Sequence, residues 1–408
     1  MTLWALAWRN VARHRRRSLL TGGVVVFGFA AFALAGGFMA QSLEGLRDGT
    51  IRSGMGHLQV ADPAEFEDGS AGTLEHALSR AADVDAVLRA DPDVLEVLPR
   101  LDFVGLLTNG SRSVPFLGVG LDPLPEARTM DHAKALHKGR WLRDRSERSV
   151  ILGTGLAAAL SLGVDDPVTL LATTSDGTLN AVDATVAGLA QLPIKELDDR
   201  FLATSLGLAS DLLAAGDRVS KLVVVLRDTA AAGAASERIR PALRARGIVA
   251  AVKVWDELAQ FYSQVRVLYI GIFGFMGLIL VAVVLLAVAN IMLMAAAERT
   301  REIGTLRAIG TRSRFIRRMF LAEGILLALL GCAAGAVLSL LLREALNHSG
   351  IMLPPPPGAT HGVPLHVRVY LAAYAAGAAA MLATLALASW FPARRAARMS
   401  IIEALAHV

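Results

Sequence analysis

Residues 298–318 read ERTREIGTLRAIGTRSRFIRR, which sets seven arginines beside two glutamates and threads Ile303, Leu306 and Ile309 between them at three-residue spacing. That spacing gives a short helix an apolar stripe among cations. A helix of this kind suits docking into a groove on a soluble partner, with the stripe as anchor. Gly310 stands where a helix C-terminus favours a left-handed residue, and Thr311 or Ser313 can cap the helix that follows. Other reactive side chains are thinly spread. His132 and His137 lie five apart, off a common helix face, and no cysteine or second histidine pair joins them. They read as surface residues and not as metal ligands. Asp165-Asp166 and Asp198-Asp199 read as loop acids near turns, and no Ser-His-Asp arrangement can be picked out. A phosphate-cradling loop needs Gly-Lys-Ser/Thr at a helix start. Lys134, Lys138, Lys195, Lys221 and Lys253 are the only lysines, and none follows a glycine. The sequence therefore offers no such nucleotide site.

The elements that must position the arginine-rich stretch are four windows almost free of charge: 18–43, 267–297, 324–342 and 369–393. Each is long enough to cross a hydrocarbon layer about 30 Å thick as a helix. The first window is too long for a signal-peptide core and is closed by no small-x-small site. The 31 uncharged residues of the second exceed what the bilayer needs, so that helix is tilted or continues outward as a stalk; the absence of a Pro or Gly break favours the stalk. Small residues recur every fourth position at Gly331, Gly335 and Ser339, and at Ala372, Ala376 and Ala380. Such faces bring helices close together. Asn290 reads as a buried polar side chain making an interhelical hydrogen bond. Cys332 is the only cysteine, so no internal disulfide forms.

Charge orients the spans. Residues 1–17 carry five arginines and no acid, 298–318 carry a net +5, and 394–408 a net +2, whereas 42–265 hold 23 Lys and Arg against 31 Asp and Glu. Basic short segments beside membrane helices stay in the cytoplasm. Both termini and the 298–318 loop are expected inside and the large segment outside. The basic balance is a topology signal, not a nucleic-acid patch. Leu3, Trp4, Ala7, Trp8 and Val11 give the N-terminus an amphipathic helix suited to the membrane interface.

The outer segment reads as α+β. Strands 104–108 and 113–119 flank Asn109-Gly110, and 168–174 and 179–189 flank Asp176-Gly177, both signals for two-residue hairpin turns. Residues 74–90, 155–162 and 230–245 read as helices and 221–226 as a strand. Pro354 to Pro357 stiffen the last outer loop as polyproline, either as a spacer or as a docking element. The resulting divisions are 1–17 amphipathic helix, 18–43 first span, 44–266 outer domain, 267–297 second span with stalk, 298–318 coupling loop, 319–342 third span, 343–368 Pro-rich loop, 369–393 fourth span and 394–408 tail.

At ERTREIGTLRAIG (Glu298 to Gly310) the chain resembles the coupling segment of FtsX-like, MacB-type (type VII) ABC transporter permeases. The resemblance continues through Phe320, Leu321, Glu323 and Gly324 and ends in PARRAARMSIIEAL (Pro392 to Leu405); Leu6 to Thr21 is similar to the family's first helix. Within the outer segment Gly153 to Val168 and Val219 to Val225 look like the Lol-type and MacB-type versions, and the branch nearest in layout is the lipoprotein-releasing one (LolC/LolE). The resemblance implies an α-helical membrane protein with four transmembrane helices and an α+β extracytoplasmic domain of the MacB-like periplasmic core type inserted between helices 1 and 2. It implies a multi-pass protein of the bacterial inner membrane that carries no cofactor and is not itself an enzyme. Two copies of a cytoplasmic ABC ATPase would supply ATP and Mg, a second permease of the same or a different chain would pair with it, and a periplasmic carrier or lipoprotein would engage the outer domain. By this carry-over Glu298, Arg299, Arg301, Glu302, Ile303, Thr305, Leu306, Arg307, Ile309 and Gly310 contact the ATPase, with the three apolar residues as anchors. The implied function is mechanotransmission, in which ATP binding rocks the coupling helices and the long second helix passes the motion outward to extract a lipidated or amphipathic substrate. The alternatives are MacB-like efflux of peptides or other amphiphiles and FtsX-like signalling to a cell-wall hydrolase.

Overall fold

The computed structural model describes residues 3–67, 74–78, 80–192, 194–354 and 363–396. Pro355 to Pro357 and most of the tail after Pro392 lie outside them. The chain divides into a helical unit and an α+β unit centred on Gly45–Gln264.

Four helices in the helical unit are long and apolar enough to cross a membrane: span 1, Arg15–Thr50; span 2, Gln260–Glu298; span 3, Ser313–His348; and span 4, Leu371–Ala396. All but the fourth run well past their apolar windows, because backbone hydrogen bonding continues where hydrophobicity stops. Span 2 is one unbroken helix of 39 residues, about 58 Å at 1.5 Å per residue. A separate helix, Leu3–Arg13, precedes span 1. It turns Leu3, Ala7 and Val11 toward the other helices and leaves Trp4 and Trp8 exposed.

The glycines of span 3 set the approach of span 1. A Cβ on Gly331 would meet Val25 at 2.7 Å, and one on Gly335 would meet the Val26 carbonyl at 2.8 Å. Ser339 is fully buried and its hydroxyl lies 2.8 Å from the Tyr374 hydroxyl of span 4, while Tyr374 packs edge-on against Phe29. On span 4 the expected packing face is displaced by one residue. Ala372 and Ala376 are exposed, and Ala373, Gly377 and Met381 point inward instead. Asn290 is likewise exposed on span 2 and not buried between helices of this chain.

The α+β unit holds a ten-stranded mixed sheet of β1 Leu58–Ala61, β2 Val94–Thr108, β3 Ser113–Leu121, β4 Leu136–Gly139, β5 Ser149–Gly153, β6 Pro167–Thr173, β7 Leu179–Ala190, β8 Phe201–Ser205, β9 Lys221–Leu226 and β10 Ala251–Val254. The order is β10-β1-β9-β2-β3-β8-β5-β7-β4, with β6 joining β2 to β7. The unit's two largest hydrophobic cores form on opposite parts of the strand order. One gathers Leu101, Phe103, Leu107, Phe116, Leu152 and Leu170; the other gathers Leu58, Val60, Val97, Leu222, Val224 and Ile239. β2 is long enough to serve both, pairing with β9 through Val94–Arg100 and with β3 through Arg100–Thr108.

Local chemistry revises several expectations. The β2–β3 hairpin closes at Thr108↔Ser113, so its loop has four residues and not two. Asn109 organises it by accepting from the Ser111 and Arg112 amides, a side-chain turn that relaxes the need for a tight one. The β6–β7 hairpin closes at Thr173↔Leu179, with the Thr174 amide donating to Thr178 and Gly177 at φ +80 at the tip. The 74–90 helix shrinks to Ala81–Arg89, since Leu78 is drawn into a bridge with Val219.

Candidate functional site

The arginine-rich stretch folds as a nine-residue helix, Thr300–Ala308, between spans 2 and 3. Its end is a Schellman motif: Gly310 at φ +94 donates to the Arg307 carbonyl and Thr311 to the Leu306 carbonyl, the arrangement that satisfies carbonyls left open by a helix terminus. Span 3 starts without the expected Thr311 or Ser313 cap. Arg312 occupies the cap position in extended conformation and no side chain bonds the first amides.

The apolar stripe is divided. Ile303 is 2% exposed and packs with Ala296, Ile316, Met319, Phe320 and Ala393. Leu306 and Ile309 are 37% and 78% exposed. Gly304 is buried beside Ile303, whereas Glu298, Arg301, Glu302, Thr305 and Gly310 face out and Arg307 is half-buried. Thr305 returns its hydroxyl to the Arg301 carbonyl at 2.9 Å. The helix is thus held from one side by Ile303 and presents Leu306 and Ile309 among charges on the other.

Arg299 behaves differently from its neighbours. It is 4% exposed, and its Nη1 donates to Glu323 Oε2 at 3.1 Å. Glu323 is fully buried, and its other oxygen accepts from Nη2 of Arg17 at the head of span 1. Sequence reasoning missed this triad. The available signal was an acid inside an otherwise apolar stretch, since a charge there is retained only with a partner; the identity of its partners, 24 and 306 residues away, is not a local property.

In the α+β unit His132 is not a surface residue. Its Nε2 lies 2.7 Å from the Ser53 carbonyl and therefore donates to it. Its Nδ1 is 3.7 Å from Glu126, itself 1% exposed and paired with buried Arg100. Burial first, and then the Arg100 cation, push the His132 pKa down to about 4; burial raises that of Glu126. Gly54, at φ +116, fits against this group because a Cβ would strike Arg100 and His132. His137 is exposed. Asp198 is also buried, not a loop acid: it accepts from Thr154 Oγ1 at 2.7 Å and from the Gly155 and Leu192 amides, which caps the helix Thr154–Leu160. Asp199 pairs with Lys195, and Asp166 accepts from the Gly163 amide.

These features define a four-span membrane protein whose large α+β domain lies between the first two spans. Residues 18–242 match the MacB-like periplasmic core domain family and residues 274–401 the FtsX-like permease C-terminal family. The chain belongs to the FtsX-like ABC transporter permeases that carry a MacB-like periplasmic core domain. It is 38% identical over 120 residues to the macrolide export ATP-binding/permease protein MacB 1 of Aeromonas hydrophila, covering 29% of this chain and 17% of that protein. It is 38% identical over 120 residues to the pyoverdine export ATP-binding/permease protein PvdT of Pseudomonas syringae, covering 29% of this chain and 16% of that one. With the ABC transporter permease YtrF of Bacillus subtilis it shares 32% over 137 residues, covering 32% of this chain and 31% of the relative. The matched segments thus span less than a third of these curated relatives. Among solved structures, the periplasmic region of MacB from Actinobacillus actinomycetemcomitans aligns at a TM-score of 0.38 and 16% identity, over 52% of this chain and 95% of that one.

Proposed function

We propose that this chain is the permease subunit of an ATP-driven mechanotransmission transporter in the bacterial inner membrane. A separate cytoplasmic ABC ATPase, in two copies each using ATP and Mg, would drive it, and a second permease of the same or a different chain would complete the membrane portion. Both termini and the 298–318 segment lie inside, and the α+β domain acts outside on an amphipathic substrate. The observation that carries this reading is the two-sided Thr300–Ala308 helix. A solvated loop has no reason to expose Leu306 and Ile309 while pinning Ile303 on span 3. A helix that docks into a groove on a partner while staying fixed to its own spans needs both sides.

Between the substrate classes, the macrolide and pyoverdine exporters among the relatives favour MacB-like efflux of peptides or other small amphiphiles over lipoprotein release. The test is affinity purification of the chain from its own cells in mild detergent. An ATPase is expected to co-purify with the wild type and to be lost in Leu306→Glu. Retention in that variant would sink the docking assignment.

A further inference from the structure

Three charged side chains from three segments are buried together where the short helix meets the spans. Their side-chain exposures are 12% for Arg17, 4% for Arg299 and 0% for Glu323. Burying an ion cluster adds little stability compared with apolar residues of the same volume, so stability alone does not account for three charges here. Geometry does. The two oxygens of Glu323 are committed to different partners, one to Arg17 and the other to Arg299. Among the described residues neither arginine has a second acceptor: Nε and Nη1 of Arg17 and Nε and Nη2 of Arg299 are buried without a hydrogen bond. If either guanidinium moved away from the carboxylate, a buried cation would be left with nothing to replace it.

We propose that Glu323 is the positioning residue that delivers movement of the Thr300–Ala308 helix to spans 1 and 3 together. Arg299 immediately precedes that helix, Arg17 opens span 1, and Glu323 belongs to span 3. The contact of Ile303 with Ile316 and Phe320 couples the short helix to span 3 in any case. The shared carboxylate adds span 1 to the same rigid group. This role rests on the reading that the short helix receives the ATPase.

The experiment uses the full chain in nanodiscs and follows amide hydrogen exchange. Glu323→Gln would strand two buried cations and endanger the fold. Arg299→Gln and Arg17→Gln each leave one neutral ion pair, so they cut a single tie and keep the structure. On the chain alone, Arg299→Gln is expected to speed exchange in residues 300–308 at least fivefold, Arg17→Gln less than twofold, and Arg299→Lys to stay within twofold of wild type. With the ATPase that co-purifies with the wild type, ATP and vanadate are expected to change protection in residues 15–43. Arg17→Gln should cut that change at least fivefold while the response of residues 313–348 persists; Arg299→Gln should reduce both. Unchanged exchange in Arg299→Gln, or a wild-type response of residues 15–43 in Arg17→Gln, overturns the proposal. Failure of the wild type to co-purify with any ATPase overturns the docking reading instead, and the exchange of the chain alone still decides the joint.

Discussion

Ile303 and Leu306 sit three residues apart on one short helix and are expected to fail in opposite ways. Ile303→Ala removes a buried side chain from the contact with Ile316 and Phe320, a loss of about 2–5 kcal/mol for such truncations, and should lower the melting temperature of the detergent-solubilised chain. Leu306→Glu should leave melting unchanged and abolish ATPase co-purification. A spacing of three advances 300° around a helix, so Ile303, Leu306 and Ile309 fan over about 120°, and spans 2, 3 and 4 cover only the Ile303 end of that arc. The sequence shows the stripe but not where it divides. At His132 the prediction concerns acid. The folded pKa of about 4 lies below the ordinary 6.5, so the neutral ring is the folded form. Its contribution is complete above pH 6.5 and lost as pH falls toward 4, about 3 kcal/mol in all. His57, also lowered by burial, acts in the same sense, while Glu126, raised by burial, opposes them as it takes up its proton. Protection factors in β2 and β9, corrected for the intrinsic pH dependence of amide exchange, should fall as pH drops from 6.5 to 4.5 in the wild type and fall markedly less in His132→Gln.

Between helices the test is which row of small residues faces inward. Ala373→Leu should disrupt the packing of span 4 and cost about 1–3 kcal/mol through overpacking, read as a lower melting temperature by fluorescence size exclusion. Ala372→Leu, on the exposed face, should leave the isolated chain unaffected. The row Ala372, Ala376 and Ala380 is small throughout, whereas the inward row runs Ala373, Gly377 and Met381, so the spacing of small residues points to the wrong row; Phe29 and Phe32 of span 1 select the other by filling the space beside Gly377. The same distinction runs through the molecule. The spans, the hairpins and the short helix were legible because hydrophobicity and turn residues act locally. The loop lengths, the bridge at Leu78 and the Asp198 cap were not, because each is decided by a partner distant in sequence. Glu323 is the extreme case, since nothing near it in the chain identifies Arg17.

For the molecule as a whole, the orientation can be measured directly. In a Cys332→Ser background, a cysteine at Asp176 in the β6–β7 loop should react with an impermeant maleimide in intact spheroplasts, and one at Ile309 only after permeabilisation. The reverse pattern would invert the topology. The order of the sheet also carries a consequence for biosynthesis. β1 begins soon after span 1 leaves off, yet both its neighbours, β9 and β10, are made last, just before span 2. The ribosome must therefore deliver Leu58–Ala61 about 160 residues before anything exists to cover its two edges. Pairing this distant in sequence forms slowly, and an open strand is a site for wrong association in the meantime. The core around Phe103 and Leu152, by contrast, is built largely from residues made in between and can form first. Folding of the domain is thus expected to finish where it began, when Ala251–Val254 closes over the first strand.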